Sequence, residues 1–195
     1  MARALAHAFA APVVTSTISR LVIDLNRSIG HPQLHSATTR ALPSSLRAEL
    51  VAQYYQPYRM EVARLVRQSV ARGRRVIHVS SHSFTPELNG KVRHADVGLL
   101  YDPVRQRESE MCACWKASLA VIAPQLRVRR NYPYAGKGDG LTSALRVSFP
   151  DRAYIGIELE INQKIVIGGG RRWGALRRAL IDSLRMACTD AALSQ

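Results

Sequence analysis

Runs of β-branched and apolar residues alternate along this chain with long stretches of helical periodicity. Arg75 to Ser81, Val97 to Tyr101, Leu126 to Arg129 and Tyr154 to Asn162 read as strands. Between them, Leu46 to Val70 places Leu46, Leu50, Tyr54, Tyr58, Val62, Leu65 and Val66 at helical spacing. Pro57 should kink or split that helix, and Gly73 stands where a C-terminal cap belongs. Glu108 to Ile122 carries the stripe Met111, Trp115, Leu119 and Ile122, and Arg171 to Cys188 turns Trp173, Leu176, Leu180, Leu184 and Ala187 inward. Val13 to Thr17 and Leu21 to Leu25 are shorter β-rich runs, and the N-terminus reads as an amphipathic helix with Leu5 and Phe9 on one face, ending before Pro12. Strands separated by long helices predict an α/β fold on a parallel or mixed sheet flanked by helices. A chain of 195 residues can bury a substantial core. No repeat, low-complexity tract or linker divides it, so residues 1–195 are expected to form a single domain.

The remaining composition narrows the class. No apolar run approaches the roughly 18 residues that cross a bilayer. The net charge of +14 attracts anions of any kind. The basic residues are spread along the chain, and only Arg171, Arg172, Arg177 and Arg178, around Trp173, form a dense helical patch. With aromatics at 6%, stacking platforms for single strands are scarce, so the charge is expected to coat solvated faces and nucleic acid is not the expected partner. Cys112, Cys114 and Cys188 are odd in number and lack a metal-knuckle spacing; reduced thiols in a cytoplasmic protein are the expectation.

Four polar features interrupt the apolar pattern. His82 closes the strand run Val76-Ile77-His78-Val79-Ser80-Ser81, and α/β enzymes place their chemistry at such strand mouths. Asp24-Leu25-Asn26-Arg27 follows an apolar run, where an arginine beside an asparagine can clamp a carboxylate, or Asp24 and Arg27 can simply pair and hold a turn. Glu158, Glu160 and Asn162 share one face of their strand by alternation. Carboxylates on so apolar a strand are costly to bury unless they act as a base or meet an arginine. The loop from Asn131 to Gly140 is rich in glycine and tyrosine, which suits either close ligand approach or an ordinary connection. No complete metal motif is present: His78 and His82 lie about 13 Å apart along a strand and cannot share one zinc. Nucleophile-elbow, Walker and dinucleotide fingerprints are absent from the sequence.

Taken in order, Ser19 to Ser28, His82-Ser-Phe-Thr-Pro86, Arg93 to Asp102, Asn131-Tyr-Pro-Tyr-Ala-Gly136 and Gly156-Ile-Glu-Leu-Glu-Ile-Asn-Gln163 resemble the N-formylglutamate amidohydrolase family through nearly the whole chain. That family is related to the zinc carboxypeptidases, so the resemblance implies a carboxypeptidase-like, phosphorylase/hydrolase-like α/β fold. It implies Zn2+ as cofactor, with His82 resembling the third zinc ligand. It implies Asn26 and Arg27 as the pair holding the substrate α-carboxylate and Glu160, rather than Glu158, as general base. Arg93 and the loop around Tyr132 and Tyr134 are implied to reach the substrate. The implied reaction is hydrolysis of N-formyl-L-glutamate to formate and L-glutamate, on a small anionic N-acyl amino acid. The resemblance also implies an upstream Glu-His-Gly-Gly segment carrying the first two zinc ligands, which this sequence lacks, so the chain reads as truncated at its N-terminus. Two other classes remain open: an anion-binding relative without catalysis, and a basic nucleic-acid-binding module with steeply salt-dependent affinity.

Overall fold

The structure is a computed structural model and describes residues 1–193. Its elements are α1 (Ala2–Ala8), α2 (Ala37–Arg40), α3 (Ser44–Leu50), a π-helical turn (Val51–Tyr55) leading into α4 (Gln56–Ala71), β1 (Val76–Phe84), β2 (Glu87–Leu88) and β3 (Lys91–Val92). They continue with β4 (Val97–Leu100), α5 (Gln106–Ile122), β5 (Val128–Arg130), α6 (Leu141–Ser148), β6 (Tyr154–Asn162), α7 (Gln163–Ile167) and α8 (Gly170–Leu193). The central sheet runs β1-β6-β4-β5. Strand β4 pairs in parallel with β5 and antiparallel with β6. Helix-flanked and mixed, the sheet matches the α/β expectation. Helices α6 and α7 and the small β2–β3 hairpin carry too few residues to announce themselves by periodicity.

The chain divides into two compact units built from interleaved segments: Met1–Ala11 with Ile77–Gly138 and Ile155–Gln195, and Pro12–Val76 with Asp139–Tyr154. In the first, Ile157, Leu159 and Ile161 of β6 and Val97 and Leu99 of β4 join Trp115 and Leu119 of α5 and Leu180 and Leu184 of α8 in the main core. Trp115 is wholly buried, and its indole N–H donates to Ser183 Oγ at 3.0 Å, which satisfies the one polar atom it brings inside. Strand β6 is covered on both faces, so its odd-numbered residues fill the core while Glu158, Glu160 and Asn162 occupy the other face.

The second unit corrects two strand expectations. Val13 to Thr17 and Leu21 to Leu25 contain no strand. Ser19 C=O accepts from Val22 N–H and Asp24 N–H bonds Leu34 C=O, so the chain closes into local turns, and Ile23 is plugged beside Leu34 and Tyr55 in a satellite core. The β-branched residues there serve burial without a partner strand. The helix across Pro57 behaves as its proline dictates. Lacking an N–H, Pro57 cannot continue the regular ladder, and just before it Gln56 N–H reaches back five residues to Val51 C=O. The extra residue rotates the inward face, so Tyr55 is buried where the plain periodicity pointed to Tyr54 and Tyr58.

Candidate active site

In the first unit, the polar residues of β6 are fixed by their strand partners. Glu160 stands opposite Gly98 and Glu158 opposite Leu100 in the antiparallel pair. Glu160 is 6% exposed and Asn162 fully buried. The Asn162 amide donates to the carbonyls of Arg93 (3.1 Å) and Ala95 (2.8 Å), and its Oδ1 accepts from Lys164 N–H at the start of α7. Asn162 is therefore structural: it holds the backbone of Arg93 two residues along the same face from Glu160.

Arg93 gathers the rest. Its guanidinium donates to Tyr134 Oη at 3.0 Å and lies 5.1 Å from the Tyr134 ring centroid and 6.0 Å from that of Phe84. Phe84 lies two residues beyond His82 on β1, on the same face by alternation, and β1 neighbours β6 in the sheet. Arg93 thus links the His82 end of β1, the Glu160 face of β6 and the tyrosine loop. His82 Nε2 is 2.8 Å from Ser80 Oγ, a partner the sequence did not single out although its spacing of two places both residues on one strand face.

The tyrosine loop is pinned. Asn131, at φ 48°, directs Oδ1 to the N–H groups of Tyr101 and Gly136 at 3.0 and 3.1 Å, and its own N–H bonds Leu99 C=O. The Tyr132 carbonyl then passes so close over Gly98 that a Cβ there would lie 2.0 Å from its oxygen and 3.3 Å from Glu160 Cβ. The loop backbone therefore lies against the Glu160 face of the sheet, which its glycine and tyrosine content alone left open.

In the second unit, Asn26 and Arg27 sit in a clasp between two loops. Asn26 Oδ1 accepts from Leu141 N–H at 2.8 Å, capping α6, and Arg27 donates through one terminal nitrogen to Asp139 C=O at 3.0 Å. Asp139 Oδ2 returns an acceptor to Ser28 N–H at 3.0 Å. Burial raises the Asp139 pKa, but hydrogen bonds from Ser28 and the charges of His31 and Arg27 outweigh it and hold the carboxyl below its usual range. The turn is backed by Tyr55, whose hydroxyl donates to Arg27 C=O at 2.8 Å, and by Arg59, which reaches the carbonyls of residues 25–27 at 3.2–3.4 Å. Asp24 bonds Arg20 at 2.7 Å and the Asn26 N–H at 3.0 Å, with Arg27 Nε at 4.0 Å. The turn-holding role weighed for Asp24 is therefore present, supplied mainly by Arg20 and the backbone. Arg27 keeps 28% of its side chain exposed. Tyr55, Arg59 and Asp139 escaped sequence reasoning because a side chain that braces a backbone turn leaves no periodic signal.

Among the described residues no group of three His, Cys, Asp or Glu side chains could hold a metal ion. A catalytic zinc takes three protein ligands, so His82 alone does not make the site. The cysteines are free thiols, with Cys112 buried in the core. No helix among the described residues is long and apolar enough to cross a membrane.

Comparison with known proteins places this geometry in context. The family model described as N-formylglutamate amidohydrolase matches residues 1–167. The crystal structure of a gene product of Agrobacterium tumefaciens is similar at 28% identity and a TM-score of 0.81, over 97% of this chain and 75% of that one. The crystal structure of an N-formylglutamate amidohydrolase from Ralstonia eutropha JMP134 is similar in fold at a TM-score of 0.69 and 19% identity, over 96% of this chain and 81% of that one. None of the curated proteins compared matches the chain.

Proposed function

The chain belongs to the N-formylglutamate amidohydrolase family, and on that premise we propose that it hydrolyses the amide of a small N-acylated amino acid, converting N-formyl-L-glutamate and water to formate and L-glutamate. What supports this reading is Glu160: a buried carboxylate on an apolar strand, with the Tyr132 backbone against its face and Arg93 held beside it through Asn162. Glu160 takes a proton from water as the water oxygen attacks the formyl carbon, and returns it to the amine nitrogen as the C–N bond breaks. Arg93 with Tyr134 is proposed to contact the substrate beside Glu160, and Asn26 and Arg27 are carried from the family resemblance alone as the pair for its α-carboxylate. Zinc is carried from the family resemblance with His82 as its one assigned ligand. The described residues do not complete a site around it, so every proton step is assigned to Glu160.

Formate release from N-formyl-L-glutamate by the purified protein tests the reading. Glu160→Gln is expected to lower kcat by about a hundredfold with the fold intact, the loss typical of a missing general base. Turnover that survives the substitution removes Glu160 from the mechanism. Metal analysis of the same samples tests zinc: about one zinc per chain in the parent, lost in His82→Ala, carries the family cofactor over to this chain, while background zinc in both withdraws it. A second reading, a carboxylate-binding relative without turnover, is favoured by the missing three-ligand set among the described residues. It predicts saturable binding of N-formyl-L-glutamate with no formate released.

A further inference from the structure

Strand β5 ends the central sheet, so among the described residues one of its edges has no neighbouring strand. Its pairing with β4 decides which groups that edge presents. Arg127 C=O accepts from Val97 N–H at 3.3 Å, and Asn131 N–H donates to Leu99 C=O at 2.9 Å, so the odd-numbered backbone groups of β5 face β4. By alternation the N–H and C=O of Val128 and of Arg130 point the other way. Among the described residues no hydrogen bond reaches them. The chain that follows does not cover this edge, because the Tyr132 carbonyl passes back over Gly98 of β4.

The side chains along the edge are basic. Arg127, Arg129 and Arg130 are exposed, while Val128 is half-buried against the main core. No Asp or Glu stands between Ala123 and Gly138. Asp96, just before β4, is buried and already holds Arg127 N–H at 2.9 Å and Lys164 at 2.8 Å, so it does not neutralise the edge. The Arg129 guanidinium lies 5.1 Å from the Tyr132 ring centroid, a stack that leaves its in-plane N–H groups available.

Charge on a sheet edge bars pairing with a second copy of the same chain, because like charges would meet. The same charge recruits a strand of opposite sign. Alternation sets the pattern such a strand needs. Arg127 and Arg129 share one face and Val128 takes the other, so acidic residues belong opposite the arginines and apolar ones beside Val128. Nucleic acid would answer the charge, but its phosphates bring no donors for the two outward carbonyls. We propose that β5 takes up an extended segment of a partner protein in which acidic and β-branched apolar residues alternate. Its main chain bonds Val128 and Arg130, and its carboxylates meet Arg127 and Arg129. So short an edge gives a transient contact. Glu160, His82, Arg93 and Tyr134 take no part, so the proposal stands or falls apart from the amide-hydrolysis reading.

The capped pentapeptide Glu-Val-Glu-Val-Glu is the probe, titrated into the full chain while backbone amide exchange is followed residue by residue. The expected result is saturable binding, with exchange at Val128 and Arg130 slowed about tenfold at saturation. Replacing two exposed cations together, Arg127→Gln with Arg129→Gln, is expected to weaken binding about tenfold. Capped Glu-Pro-Glu-Pro-Glu keeps the charge and loses the strand amides, and is expected not to bind at the same concentrations. Thermal melts confirm that the double variant is folded, and the proline peptide carries the test without any substitution. The proposal is overturned if the proline peptide binds within about twofold of the valine peptide, if exchange at Val128 and Arg130 does not change, or if the folded double variant binds undiminished. A parent that takes up no peptide, with a double variant that pairs with itself in sedimentation, would show that the arginines only guard the edge, and the proposal would fall.

Discussion

Glu108→Ala is expected to lower the unfolding free energy by about 3–5 kcal/mol, the range for breaking a buried ion pair from one side. Glu108 is wholly buried in the first turn of α5. Its Oε2 accepts from Asp102 N–H at 2.9 Å, just past β4, and its Oε1 accepts from Gly156 N–H of β6 at 3.0 Å and meets Arg105 Nε at 3.2 Å. One carboxylate thus ties the start of a helix to two neighbouring strands and neutralises a guanidinium whose side chain is only 14% exposed. Alanine takes the acceptor from two buried amide donors and a carboxylate partner from that cation. For a chain of this size the loss corresponds to roughly 6–20 °C in Tm. Glu108→Gln keeps one carbonyl acceptor while removing the charge, so its cost is smaller, about 1–3 kcal/mol. Urea unfolding followed by circular dichroism measures both. An alanine variant within about 1 kcal/mol of the parent would mean that water replaces the carboxylate at this junction.

Glu108 also shows where sequence reading reaches its limit. The helix from Glu108 was legible because Met111, Trp115 and Leu119 repeat at its period, and all three are buried. Strand β6 was legible to the residue, from Tyr154 to Asn162, because alternation and β-branched content agree there. Glu108 itself carried no signal of its burial, since a single carboxylate gives no sign of the backbone amides that surround it. The errors at residues 13–17 and 21–25 have a related cause. A short apolar run has no period long enough to separate a strand from a buried loop, and the hydrogen bonds that decided the matter came from Ser19 and Leu34.

The candidate site divides the same way. Its residue types were readable, because a histidine at a strand mouth and carboxylates on an apolar strand are anomalies in a pattern. The family resemblance implied that Arg93 and Tyr134 reach the substrate, but nothing in the sequence announced that the two bond each other directly. The commitments of Asn26 and Arg27 to Leu141 and Asp139 join positions more than a hundred residues apart, and no local pattern encodes them. Asn162 was read beside the two glutamates as one polar face, yet its amide is spent on the backbone of residues 93 and 95. Only the hydrogen bonds themselves separate a polar residue that builds a site from one that works in it.

Gly98→Ala is expected to cost about 3 kcal/mol or more and to lower activity in the fraction that remains folded. Glycine weakens a central strand unless something must come close to its backbone, and here something does. Gly98 sits in fully buried β4, between Arg129 on β5 and Glu160 on β6. A methyl group there would lie 2.0 Å from the Tyr132 oxygen and 3.2 Å from the Tyr132 carbonyl carbon. Both obstacles are backbone, so no side-chain rotation relieves them. The loop cannot slide away cheaply either, because Asn131 holds it to Leu99, Tyr101 and Gly136 by three hydrogen bonds. The strand and the loop must separate, and Glu160, whose Cβ would be 3.3 Å from the new methyl group, moves with its strand partner. Urea unfolding gives the stability term, and kcat/KM corrected for the folded fraction gives the site term. Stability within about 1 kcal/mol of the parent would show that the Tyr132 segment yields freely, and with it the claim that this loop fixes one wall beside Glu160 would fail.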